Sequence, residues 1–174
     1  MKYNVKMTSK INLDWLFTDL KNYCIIKIPE FFPHYEKNSD LDIICDDKIK
    51  FSKILNEKIT NKYKLKTKSY VAANNNLQLD VIINNTLDIK FDITDDLSCF
   101  SKIKVNSDLS KLILKNIECK NGISIPTLEH EIVTRLLEYE EYKDNPKKIK
   151  HLNFANKFPE EKNKAIQLIE KYKK

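Results

Sequence analysis

The chain has 174 residues, 41% hydrophobic and 32% charged, a balance that excludes a disordered polymer and a multi-span membrane protein. No apolar run approaches the roughly 20 residues that cross a bilayer, and the opening MKYNVKMTSK lacks the apolar centre of a secretion signal, so a cytoplasmic protein with no membrane partner is expected. The net charge of +6 sits entirely in residues 143–174, where ten lysines face four acids, while the first 142 residues balance to zero. In chain order, SKINLDWLFTDLKN (9–22) spaces Leu13, Leu16, Phe17 and Leu20 as one helix face, with Ser9 placed to cap it. YCIIKI (23–28) reads as a short strand closed by Pro29, EFFPHYEKN (30–38) as a loop, and SDLDIIC (39–45) as a second strand. Helical spacing returns in 47–62 through Ile54, Leu55 and Ile59.

The period then changes to two. YKLKTKSYVAA (63–73), LQLDVII (77–83) and TLDIKFDIT (86–94) alternate, with NNN and NN as the turns between them. Leu87, Ile89, Phe91 and Ile93 are expected inward, and Asp88, Lys90 and Asp92 outward. This pattern predicts an antiparallel meander with one wet face. LILKNIECK-NG-ISIP (112–126) predicts a hairpin, because Asn121-Gly122 suits the two positive φ angles of a type I′ turn. Residues 126–145 form a helix capped by Thr127, with Leu128, Ile132, Val133, Leu136 and Leu137 on one stripe, and 159–174 a final helix opened by proline and two acids. The expected class is α+β: a mixed or antiparallel sheet flanked by helices in residues 1–125, and a C-terminal helical segment in 126–174, either part of the same unit or a small annex. Cys24, Cys45, Cys99 and Cys119 lie far apart, with no metal-binding spacing, and are expected to be buried thiols.

One stretch is costly unless it has a purpose. In NSDLDIICDD (38–47), Asp40 and Asp42 are two residues apart on a strand, so both point to one face while Leu41 and Ile43 enter the core. Two carboxylates on one face can hold a divalent cation through hard oxygen ligands, and paired ions of this kind serve phosphoryl transfer. A third acid from a neighbouring strand normally completes such a cage. Asp92 fits, being on a polar face, late in its strand and beside a turn; Asp80 is the alternative.

This order, helix, strand, SDLDII, helix and a later strand with Asp, resembles the polymerase-β-type nucleotidyltransferase superfamily over roughly residues 9–95. The family's pattern is hG[GS], a gap of 9 to 13 residues, then Dh[DE]h and a later third acid. Asp40 and Asp42 match its metal pair, and Asp92 its third acid, which helps to activate the acceptor hydroxyl. The resemblance implies an enzyme that moves a nucleoside monophosphate from an NTP to a small phosphorylated or hydroxylated acceptor with Mg²⁺ or Mn²⁺, releasing pyrophosphate. The Gly-Ser pair is absent: IIKIPE (25–30) stands there, which leaves Lys27 to contact phosphate. Ser39, just before the acidic pair, and Lys147, Lys148, Lys150 and His151, just after the long helix, join Lys27 as expected nucleotide contacts, with lysine acting as a point charge. The missing pair also supports an alternative: a catalytically inactive relative, or a toxin–antitoxin-type component, that keeps the fold and binds a partner. A third option, nucleic-acid binding by the basic tail, ranks last, because arginine, the main base reader, occurs only at Arg135. There is no P-loop, GxGxxG or GxSxG.

Overall fold

A computed structural model describes residues 9–72 and 74–174; the expectations for the leading segment and for Ala73 lie outside the described residues. A five-stranded mixed sheet carries β1 (Tyr23–Ile25), β2 (Ser39–Cys45), β3 (Lys66–Val71), β4 (Leu77–Ile83) and β5 (Thr86–Thr94) in the order β1-β2-β5-β4-β3. The meander β3-β4-β5 is antiparallel, as its alternation predicts, and β2 inserts beside β5 in parallel. The crossover that this parallel pair needs contains α2 (Lys48–Lys58), capped by the Asp47 carboxylate at the Lys50 amide. The β4–β5 turn places Asn84 and Asn85 at positive φ, and Asn121-Gly122 does the same between β6 (Ile117–Lys120) and β7 (Ile123–Pro126), the geometry of a type I′ hairpin.

The sheet separates two cores. One face presents Leu41, Ile43, Leu79, Val81, Phe91 and Ile93 to α1 (Leu13–Phe17) and α2, where Phe17 stacks on Tyr23 and meets Phe91 edge-on. The second core joins Cys24 and Ile44 of the sheet, and Ile26 just after β1, to α3 (Asp108–Lys115), α4 (Leu128–Glu141), α5 (Ile149–Ala155) and α6 (Pro159–Tyr172). The C-terminal helices therefore bury their apolar stripes against residues from the first half of the chain. Tyr172 and Lys174 also return to the backbone at 104–106.

Four local expectations change. The first helix is one turn and a half rather than 9–22: Asn12, not Ser9, caps it by accepting from the Trp15 amide, and Asp19 at φ 66° ends it. Residues 112–115, the start of the expected hairpin arm, belong instead to the helix Asp108–Lys115, because Leu109 and Ile113, one turn apart, are both fully buried. Asp88 is not outward. The β4–β5 register shifts at Val81/Ile82, Val81 facing Ile89 and Ile82 facing Leu87. A bulge of this kind interrupts the alternation; Leu87 becomes half-buried, and Asp88 is buried and accepts from the Tyr35 hydroxyl at 2.6 Å. Of the four thiols, all free, Cys24 and Cys45 are buried, Cys99 is half-buried and Cys119 is exposed. Among the described residues no helix is long and apolar enough to cross a membrane.

Candidate active site

Opposite the first core, the part of the sheet face around Asp42 and Asp92 is polar, while Ile44 on the same face of β2 enters the second core; the polar composition follows from register. Asp42 on β2 lies directly beside Asp92 on β5, and Asp92 beside Gln78 on β4. One step along, Asp40 faces Lys90, which faces Asp80. In-register neighbours on adjacent strands are about 4.8 Å apart in the backbone, so the strand pairing sets the Asp42 and Asp92 carboxylates side by side. Asp40, Asp42 and Asp92 line the floor of a cavity of about 510 Å³. Asp80 is not among the lining residues: its register partners are Lys90 and Lys68. The structure thus groups Asp92, rather than Asp80, with the first two aspartates.

The opposite wall belongs to α4. Thr134 and Glu138, four residues apart, share one face of that helix, Tyr142 follows at its C-cap, and all three line the cavity. Lys148 and Lys150 close one side, Asn74 and Asn76 another, and Leu97, Cys99 and Phe100 a third. Lys27, from the short segment after β1, bridges floor and wall: its Nζ lies 3.0 Å from Asp42 Oδ2 and 2.7 Å from Glu138 Oε2. Glu138 also receives Lys148 Nζ at 2.5 Å. Behind it, fully buried His151 brings Nε2 to 3.4 Å from Glu138 Oε2 without a well-aligned hydrogen bond. Arg135 Nη1 approaches His151 Nδ1 at 3.4 Å while its guanidinium pairs with Glu131 and stacks on Phe154. A guanidinium only donates, which assigns the acceptor role to Nδ1 and the ring proton to Nε2, facing Glu138.

The electrostatics follow from these neighbours. Burial works against the Lys27 ammonium, but Asp42 and Glu138 outweigh it and raise its pKa above the usual lysine value. Burial alone would raise the Glu138 carboxyl. The His151 ring and the ammonium groups of Lys27 and Lys148 reverse that and hold it well below the usual carboxylate range. Asp92 shifts the other way: burial and the charge of Asp42 push it up, more than the amide donors of Asn76 (2.9 Å) and Gln78 (3.4 Å) pull it down.

The other expected contacts separate. Lys27, Lys148 and Lys150 reach the cavity. Ser39 alternates away from Asp40 and does not line it, Lys147 is exposed outside it, and His151 is buried behind Glu138. Thr127 caps α4 by accepting from the His130 amide, and the His130 ring stays at that cap with Nδ1 3.0 Å from the Thr127 hydroxyl; His34 bonds to Ser9. Glu138, the group that joins the lysines, carries no local signal beyond sharing a helix face with Thr134; only the packing of α4 over the sheet reveals it.

Carboxylate oxygens facing ammonium groups across a polar cavity form a donor set suited to a hard cation and a phosphate chain. Among the described residues no three acidic, histidine or cysteine side chains already converge on one point. Each floor carboxylate is drawn to its own partner: Asp42 to Lys27, Asp40 to Lys90 at 3.4 Å, and Asp92 to Asn76. No family model, curated protein or solved structure matches the chain.

Proposed function

We propose that this cavity is the active site of a metal-dependent nucleotidyltransferase, a divergent member of the polymerase-β-type superfamily, which transfers a nucleoside monophosphate from an NTP to a small hydroxylated or phosphorylated acceptor. The observation that carries the reading is the parallel β2–β5 register, which sets Asp42 against Asp92 with Asp40 on the same face, opposite Lys27, Lys148 and Lys150 in one cavity. Its volume of about 510 Å³ falls in the range of small-molecule sites. Burial first, and then the like charge of Asp42, raise the Asp92 carboxyl; a cation between the two carboxylates would relieve the repulsive part.

The donor set fits Mg²⁺ or Mn²⁺, with Asp40, Asp42 and Asp92 as ligands; bound there, the ion would neutralise charge on the triphosphate and lower the pKa of an acceptor hydroxyl. Lys27, Lys148 and Lys150 steady phosphate oxygens as point charges. Asp92, whose affinity for protons is raised by burial, is the group suited to take the acceptor's proton. Asn74, Asn76 and Asn145 line the same cavity and offer neutral donors and acceptors to the sugar or acceptor.

The test is pyrophosphate release from each of the four NTPs with Mg²⁺, in the presence of sugar-phosphate and polyol acceptors, for the wild-type protein and Asp42→Asn. Turnover that Asp42→Asn abolishes supports the reading; equal rates in the two proteins reject it. A second reading, an inactive nucleotidyltransferase-like binding protein, draws on one observation: Lys27 occupies the segment where the family carries Gly-Ser, and its ammonium already pairs with Asp42. Calorimetry in which neither NTP nor Mn²⁺ binds favours that alternative.

A further inference from the structure

The Lys27 ammonium has a consequence for what the cavity can accept. It sits between Asp42 and Glu138, at 3.0 and 2.7 Å, and so occupies one side of the carboxylate that a cation would need. The charges around it are already matched. Asp40, Asp42, Asp92 and Glu138 line the cavity together with Lys27, Lys148 and Lys150, and Lys90 pairs with Asp40, so four carboxylates meet four ammonium groups. A free divalent cation entering this neutral arrangement would bring two uncompensated positive charges into a partly dry site, which is unfavourable. A cation arriving with a polyphosphate brings its own negative charge.

We propose, on the basis of the nucleotidyltransferase reading above, that Lys27 is a built-in competitor for Asp42, so that the site takes a divalent cation as its complex with a polyphosphate and rejects the free ion, and that Glu138 retains the Lys27 ammonium when Asp42 is released. The geometry supports the hand-over without a large movement, because Lys27 already touches both carboxylates. Glu138 is in turn held by Lys148 at 2.5 Å, with the buried His151 ring packed behind it at 3.4 Å, so it does not follow the lysine. Glu138 is thus a positioning residue, and Lys27 sets the ligand form.

The experiment is a calorimetric titration of Mn²⁺ alone, and of Mn²⁺ with α,β-methylene NTP analogues, into the full chain as wild type, Lys27→Met, Lys27→Gln and Asp42→Asn. Wild type is expected to bind Mn²⁺ alone weakly and the Mn²⁺–analogue complex well. Lys27→Met and Lys27→Gln, which remove the charge with and without loss of a polar group, are both expected to bind Mn²⁺ alone at least tenfold more tightly, about 1.4 kcal/mol. Circular dichroism checks that each variant is folded, and agreement between two chemically different replacements guards against a packing artefact. If both variants bind free Mn²⁺ no better than wild type, while wild type binds the complex and Asp42→Asn does not, the role of Lys27 is overturned and the nucleotidyltransferase reading stands. If wild type binds neither Mn²⁺ nor its complex with any analogue, both fall.

Discussion

Replacing Glu138 by Gln tests whether the charge cluster at the cavity wall holds the two halves of the chain together. In the wild-type protein this carboxylate accepts from Lys27 at 2.7 Å and Lys148 at 2.5 Å. Hydrogen bonds to charged groups contribute about 1.5–3 kcal/mol each, and breaking a fully buried ion pair costs about 3–5 kcal/mol. The three side chains are 19–27% exposed, so the value lies below that upper figure. Gln keeps one carbonyl acceptor but turns an NH₂ group towards a second ammonium, so one favourable contact is lost and one becomes donor against donor. Lys27 still has Asp42, and Lys148 can reach water. The expected loss is about 2–3 kcal/mol, or roughly 4–12 °C in thermal midpoint for a chain of this size. The pH dependence supplies the sharper check. A carboxyl whose folded pKa is depressed contributes stability that is complete above its unfolded value, about 4.3, and is lost as pH falls from there towards the folded pKa. Urea titrations at pH 7.5 and in steps below pH 5 should therefore show the difference between wild type and Glu138→Gln narrowing as acid is added. A cost under about 0.5 kcal/mol at pH 7.5, no more than an ordinary surface substitution, or a difference that does not change with pH, refutes the account.

Tyr35→Phe removes the donor to the buried Asp88 carboxylate and the acceptor of the Ile11 amide; an expected loss of about 2–3 kcal/mol is read from urea midpoints, and a shift within wild-type error shows that the bulged Asp88 is satisfied in another way. Asp92→Asn removes a half-buried charge repelled by Asp42, so at pH 7.5 its thermal midpoint should equal or exceed that of wild type while pyrophosphate release disappears; a lower midpoint, or retained turnover, contradicts the place given to Asp92.

Strand boundaries at 39–45, 77–83 and 86–94 and the positive-φ Asn121-Gly122 turn were legible in the chain, because alternation and turn chemistry act over a few residues. So was the shared face of Asp40 and Asp42, which the pleat imposes on any strand. The helix 108–115 was not, since eight residues beside a hairpin satisfy either pattern until Leu109 and Ile113 find a core to enter. The bulge at Asp88 escaped for a related reason: alternation predicts a face only while the register is unbroken, and Tyr35, 53 residues away, decides where that carboxylate turns.

The site divides along the same line. Local sequence determined that two aspartates share a strand face and that lysines follow the long helix. The tertiary structure decided that Asp92 rather than Asp80 joins them, because the neighbour of Asp42 depends on how β2 pairs with β5, a register set by two apolar faces closing on one core. It also decided that Glu138, 111 residues from Lys27 in sequence, becomes its partner and that His151 lies behind Glu138. Contacts between distant segments are fixed by which apolar surfaces bury together, and no short stretch of sequence carries that information.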